Sequence, residues 1–121
     1  QAASRLLESV RPSAIFASND LLGIGALRAA AERGLRVPQA LSVIGFDDIQ
    51  MSRYVYPALS TVGQSILQLG ELAAQLLLQR IESPAPAAPE PRILAPQLLL
   101  RESTQAPGPH LAGAPTPSPQ G

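Results

Sequence analysis

The chain has 121 residues, 45% of them hydrophobic, which is enough for one modest packed domain. Nine acidic residues balance nine basic ones, all arginine, so this stretch carries no electrostatic footprint for nucleic acid. There is no cysteine, which removes disulfides, thiolate metal sites and a cysteine nucleophile, and fits a reducing compartment.

In chain order, residues 2 to 10 read as the end of a helix, stopped near Pro12 because a residue preceding proline is pushed out of the helical region. A-I-F-A at 14 to 17 is a short apolar strand, and Ser18, Asn19 and Asp20 after it are helix-capping residue types. Residues 21 to 33 place Leu21, Ile24, Leu27 and Ala31 at helical spacing, pair Arg28 with Glu32 four residues on, and end at Gly34. L-S-V-I-G-F at 41 to 46 is apolar throughout, as a central parallel strand covered by helices on both faces must be, and it ends in Asp47 and Asp48. I-Q-M-S-R-Y-V-Y at 49 to 56 has room for one or two helical turns before Pro57, and L-S-T-V at 59 to 62 is a third strand leading to Gly63 and Gln64.

The clearest helix covers 65 to 82, where Ser65 and Gln68 form a capping box and a glutamine- and glutamate-rich face opposes a leucine face. The proline-rich run 83 to 91 is an extended connector; R-I-L-A at 92 to 95 and Q-L-L-L-R-E at 97 to 102 are two short strands split by Pro96. The segment 105 to 121 is proline, glycine and small residues, a disordered tail. Strands alternating with helices in this way define an α/β sheet with crossover helices. No apolar run approaches the ~20 residues needed to cross a bilayer, so no membrane partner is expected.

In an open parallel sheet, ligands bind outside the carboxyl ends of the strands. Asn19 with Asp20 follows one strand, and Asp47 with Asp48 follows the next. Adjacent strand residues point to opposite sides, so Asp47 and Asp48 do not form a two-carboxylate catalytic pair. One acid is expected to accept hydrogen bonds from a ligand and the other to cap the following segment. The plainer reading is that all four polar residues are helix caps. A dinucleotide fingerprint at Gly23-Ile24-Gly25 is weak: Arg28 replaces its third glycine, and the glycines fall inside the helix, where they serve close packing. A phosphoacceptor receiver domain needs a lysine that the chain lacks. The single histidine, His110, lies in the tail, which leaves no support for a serine-histidine-aspartate set or a metal site, and no cofactor is expected. Tyr54 and Tyr56 are either a sugar-stacking platform or surface packing.

P-S-A-I-F-A-S-N-D at 12 to 20, G-L-R-V-P at 34 to 38, L-S-V-I-G-F-D-D at 41 to 48, P-A-L-S-T-V-G-Q at 57 to 64 and L-L-L-R-E-S-T at 98 to 104 occur in the order and register of one family. Over roughly the first 104 residues the chain resembles the C-terminal part of a LacI/GalR-family transcriptional repressor. The resemblance implies an α/β, parallel-sheet sandwich of the periplasmic binding protein type I class, incomplete here and mostly its C-terminal subdomain. It implies a domain at 1 to 104, with helix 65 to 82 packing on an N-terminal subdomain outside this chain. The implied function is effector sensing, not catalysis, in a cytoplasmic DNA-binding repressor controlled by a sugar or related metabolite. Asn19 and Asp47 would bind the effector, with Gln64 beside the hinge. Ile24, Leu27, Arg28, Tyr54 and Val55 would form a homodimer interface, and operator DNA would be bound by a helix-turn-helix domain that this chain does not contain. Gln39, Ala40, Ser60 and Gly63 depart from the family's usual residues. A periplasmic sugar-binding protein of the same fold is the alternative, and an enzyme on a flavodoxin-like sheet lacks a nucleophile, base or phosphate loop.

Overall fold

A computed structural model describes residues 2–82 and 91–107. Helix α1 spans Ala2–Ser9, strand β1 Ala14–Phe16, helix α2 Asp20–Ala31, strand β2 Ser42–Phe46, strand β3 Ser60–Gly63, helix α3 Ile66–Glu82 and strand β4 Gln97–Leu99, with a 3-10 turn at Gln50–Arg53 between β2 and β3. The four strands form one sheet in the order β1-β2-β3-β4. The first three are parallel and β4 is antiparallel to β3, pairing Thr61 with Leu99 and Gly63 with Gln97.

The core lies between α2 and the sheet. Ala26, Ala29 and Ala30 of α2, with Leu27, pack against Ile15, Val43, Leu41 and Leu59, and Leu7 of α1 joins them. Small residues on α2 let its backbone approach the strands closely. Gly23 continues that face: a Cβ there would stand 2.9 Å from Leu59 Cδ2. Gly25 has open space around it and needs no such explanation. Asn19 starts α2, its Oδ1 accepting from the Leu22 N–H at 2.9 Å, and the helix ends where Leu35 and Gly34 donate back to Ala30 and Ala31. Ser65 Oγ accepts from the Gln68 N–H at 3.2 Å and so caps α3.

Two expectations are corrected. R-I-L-A at 92 to 95 forms no strand, and Ile93 is 89% exposed: β3 pairs with residues 97 to 99, leaving the earlier segment no ladder to join. Among the described residues β2 is covered by a helix on one face only. Val43 and Gly45 are buried by α2, whereas Ser42, Ile44 and Phe46 alternate with them half-buried, and neighbouring Phe16 is 64% exposed. No residue of α3 is buried, and Ile66, Leu67, Leu77 and Ile81 stand in solvent. Residues 83 to 90 of the proline-rich connector 83 to 91, and residues 108 to 121 of the tail 105 to 121, with His110, lie outside the described residues. No helix among the described residues is long and apolar enough to cross a membrane.

Candidate functional site

Three neighbouring parallel strands end side by side. Phe16 pairs with Ile44, and Phe46 with Val62, so Asn19, Asp47 and Gln64 follow the carboxyl ends of β1, β2 and β3 respectively. Asn19 is half-buried at the start of α2, and its side-chain oxygen is committed to the cap. That leaves its amide N–H groups as donors at the sheet edge. Gln64 is exposed. With Asp48, Ser65, Gln68 and Gln97 it borders a cavity of about 280 Å³ that neither Asn19 nor Asp47 lines.

The three acids at this end have separate duties, and capping is not among them. Asp20 is fully buried at the first position of α2. Its Oδ2 accepts from the Ile49 N–H at 2.9 Å, and its Oδ1 accepts from Thr61 Oγ1 at 2.5 Å. A buried carboxylate is tolerable because both oxygens are bonded and the N-terminal end of a helix lies beside it. Asp20 therefore ties α2 to the ends of β2 and β3. The space it occupies exists because residue 45 is glycine: a Cβ there would overlap Asp20 Oδ1 and lie 3.1 Å from its Cα.

Asp48 does not cap the 3-10 turn either; Ile49 holds the cap position without a side-chain bond. Instead Asp48 Oδ1 accepts from Arg101 Nη2 at 2.5 Å and Oδ2 accepts from Arg53 Nη2 at 2.9 Å. Arg101 is held in turn, its Nη1 donating to Ser52 Oγ and to the Leu59 carbonyl, each at 2.8 Å. Strand alternation plays no part in separating Asp47 from Asp48, because β2 stops at Phe46 and both acids are in left-handed backbone, at φ 105° and 53°. Asp47 donates its N–H to the Val62 carbonyl at 2.9 Å, and its half-buried carboxylate has no partner among the described residues. The sequence did not single out Arg101, and it offered Asp20 only as a capping residue type, since their partners lie 29 to 53 residues away.

Burial alone would raise the Asp48 pKa, but the hydrogen bonds and charges of Arg101 and Arg53 outweigh it and hold the carboxyl below its ordinary 3.8. A carboxyl depressed in the folded state stabilises the fold above its unfolded pKa and ceases to do so as pH falls through the folded value. Asp48→Asn is therefore expected to be less stable than the parent by a constant margin at neutral pH. That margin should shrink once the pH drops below 3.8, as urea titrations across the acid range would show.

Of the residues proposed for a dimer surface, Arg28 and Tyr54 are exposed, Arg28 pairing with Glu32 at 3.0 Å. Ile24 and Val55 are partly buried against the core, and Leu27, at 7% exposure inside it, offers a partner little area. Tyr54 and Tyr56 are 77% and 93% exposed. No metal-binding group of histidine, aspartate and glutamate is present among the described residues.

Residues 1–104 match the periplasmic binding protein-like domain. The ribose operon repressor of Haemophilus influenzae is 45% identical over 100 residues, covering 83% of this chain and 30% of that protein. A LacI family transcriptional regulator from Enterococcus faecium, solved with bound ribose, is 39% identical with a TM-score of 0.76, over 86% of this chain and 38% of its own. The lac repressor dimer bound to operator and the anti-inducer ONPF is 34% identical with a TM-score of 0.80, over 88% and 37%. The chain thus spans less than two fifths of each of these proteins.

Proposed function

Because the chain belongs to the LacI/GalR family, we propose that it is the C-terminal, effector-sensing part of a DNA-binding transcriptional repressor, with a sugar as effector. The observation that carries this reading is the division of labour among the acids. Asp20 and Asp48 are fully engaged within the fold, while the carboxylate of Asp47 has no partner among the described residues and stands between the strand ends that carry Asn19 and Gln64. A carboxylate accepts from the hydroxyls of a polyol, and an amide N–H donates to its oxygens. Such a pair selects hydroxylated ligands, since an apolar one would leave both groups desolvated and unpaired, at a cost of about 1 to 3 kcal/mol each. The relatives whose names carry ribose point to a pentose as the first compound to try.

On this reading the leucine face of α3 and the open face of the sheet are covered by an N-terminal subdomain outside this chain. Dimerisation uses Ile24, Arg28, Tyr54 and Val55, with Leu27 supporting them from the core. Operator DNA is held by a helix-turn-helix domain also outside this chain, in the cytoplasm, and the protein turns over no substrate. The effector can shift operator binding only through its differential affinity for two arrangements of the subdomains, typically about 1 to 3 kcal/mol of coupling. Isothermal titration of the full-length protein with pentoses, hexoses and nucleobases tests the proposal. One saturable sugar site per chain is expected, with operator affinity changed when it is filled. Binding of a nucleobase and of no sugar would contradict the sugar assignment, and ligand binding with no effect on operator affinity would contradict the repressor assignment.

A further inference from the structure

We propose that Asp48 is a positioning residue for effector recognition: clamped by Arg101 and Arg53, it holds the left-handed turn that presents the carboxylate of Asp47. The inference rests on the reading of Asp47 as the effector-binding acid and adds the device that aims it. Two consecutive non-glycine residues at positive φ, 105° and 53°, are in a conformation that L-residues avoid, so the surrounding structure must hold them there. The bonds that do so are all in place. The Asp47 N–H is fixed to the Val62 carbonyl at 2.9 Å, the Asp48 N–H reaches Thr61 Oγ1 at 3.4 Å, and the next N–H, of Ile49, is fixed to Asp20 at 2.9 Å. Between these backbone anchors, both oxygens of Asp48 are taken by guanidinium groups.

The two arginines are not equivalent. Arg53 is on the 3-10 turn with its side chain 59% exposed, so water competes for it. Arg101 is only 16% exposed and is pinned on its other nitrogen by Ser52 and Leu59. It therefore offers Asp48 a fixed point on the floor of β3 and the 3-10 turn. The pair also removes a charge problem. A second bare carboxylate next in sequence to Asp47 would repel it, whereas Asp48 neutralised by two cations leaves Asp47 free to face a ligand. Without the clamp, the two residues can relax toward negative φ and carry the Asp47 carboxylate away from the strand end.

The test uses the full-length protein with D-ribose as the probe, titrated calorimetrically. Asparagine tolerates left-handed backbone, so Asp48→Asn removes the clamp and leaves the turn sterically possible. The Kd for ribose is expected to rise roughly tenfold with the number of sites per chain unchanged. A merely structural role would lower the number of sites and leave the Kd of the folded fraction alone, overturning the proposal. In an Asp47→Asn background, adding Asp48→Asn should change the Kd less than twofold, because the clamp acts through Asp47. As a second cycle, Asp48→Asn and Arg101→Met should together weaken binding no more than the larger single effect. Effects that multiply in either cycle would overturn the proposal. An Asp47→Asn protein that binds ribose as tightly as the parent would instead remove the reading on which the clamp rests, and a parent protein that takes up no ribose would overturn both.

Discussion

Gly45→Ala is expected to cost on the order of 4 kcal/mol of folding stability, a large share of the roughly 5 to 15 kcal/mol that a domain has. The added methyl has nowhere to go. It would overlap Oδ1 of Asp20 and sit 3.1 Å from both the Asp20 Cα and Leu59 Cδ2. Overpacking of this kind costs about 1 to 3 kcal/mol by itself. Here it also displaces a fully buried carboxylate from the Ile49 N–H and Thr61 Oγ1, leaving a charge without its partners. Gly25→Ala is the control. A Cβ at residue 25 meets nothing within 4 Å inside α2, so that change should raise stability by about 0.5 to 1 kcal/mol. Urea denaturation of the parent and both variants separates these outcomes, and a Gly45→Ala protein within about 1 kcal/mol of the parent would show that Asp20 does not tie α2 to the ends of β2 and β3.

Asp47→Asn should weaken effector binding roughly 30- to 150-fold, about 2 to 3 kcal/mol, while changing stability little. Asparagine keeps the side-chain shape and accepts left-handed backbone, so φ 105° remains accessible; what it loses is the charge that strengthens hydrogen bonds from ligand hydroxyls. Since the Asp47 carboxylate has no partner among the described residues, its removal leaves no buried arginine orphaned, in contrast to Asp48. The two neighbouring acids should therefore separate cleanly, position 48 affecting stability and affinity and position 47 affinity. Equal losses of stability at both positions, in parallel denaturation and titration experiments, would contradict the division of labour.

The parts of the fold that were legible in the sequence are those set by local chemistry. The Asn19 cap, the helical spacing of α2, the Ser65 cap of α3 and the strand ends that carry Asn19, Asp47 and Gln64 all follow from residues within a few positions of each other. What was not legible depends on residues far apart. Asp20 beside Asn19 has the composition of a cap, and only the approach of β2 and β3 turns it into a buried tie. Arg101 reads as an ordinary charge until the turn after β2 is folded against it. One signal was available: a glycine inside an otherwise apolar strand marks a close approach, and Gly45 is that glycine. The strand expected at 92 to 95 failed for the complementary reason, since an apolar run becomes a strand only where a neighbour offers a ladder.

The most direct measurement of the central claim is a crystal structure of the full-length protein with ribose or another bound sugar effector. The account predicts one molecule outside the carboxyl ends of β1 to β3, with its hydroxyls donating to the Asp47 carboxylate and the Asn19 amide donating to the same molecule. A sugar held elsewhere in the protein, with the Asp47 carboxylate bonded only to solvent or to protein groups, would contradict it.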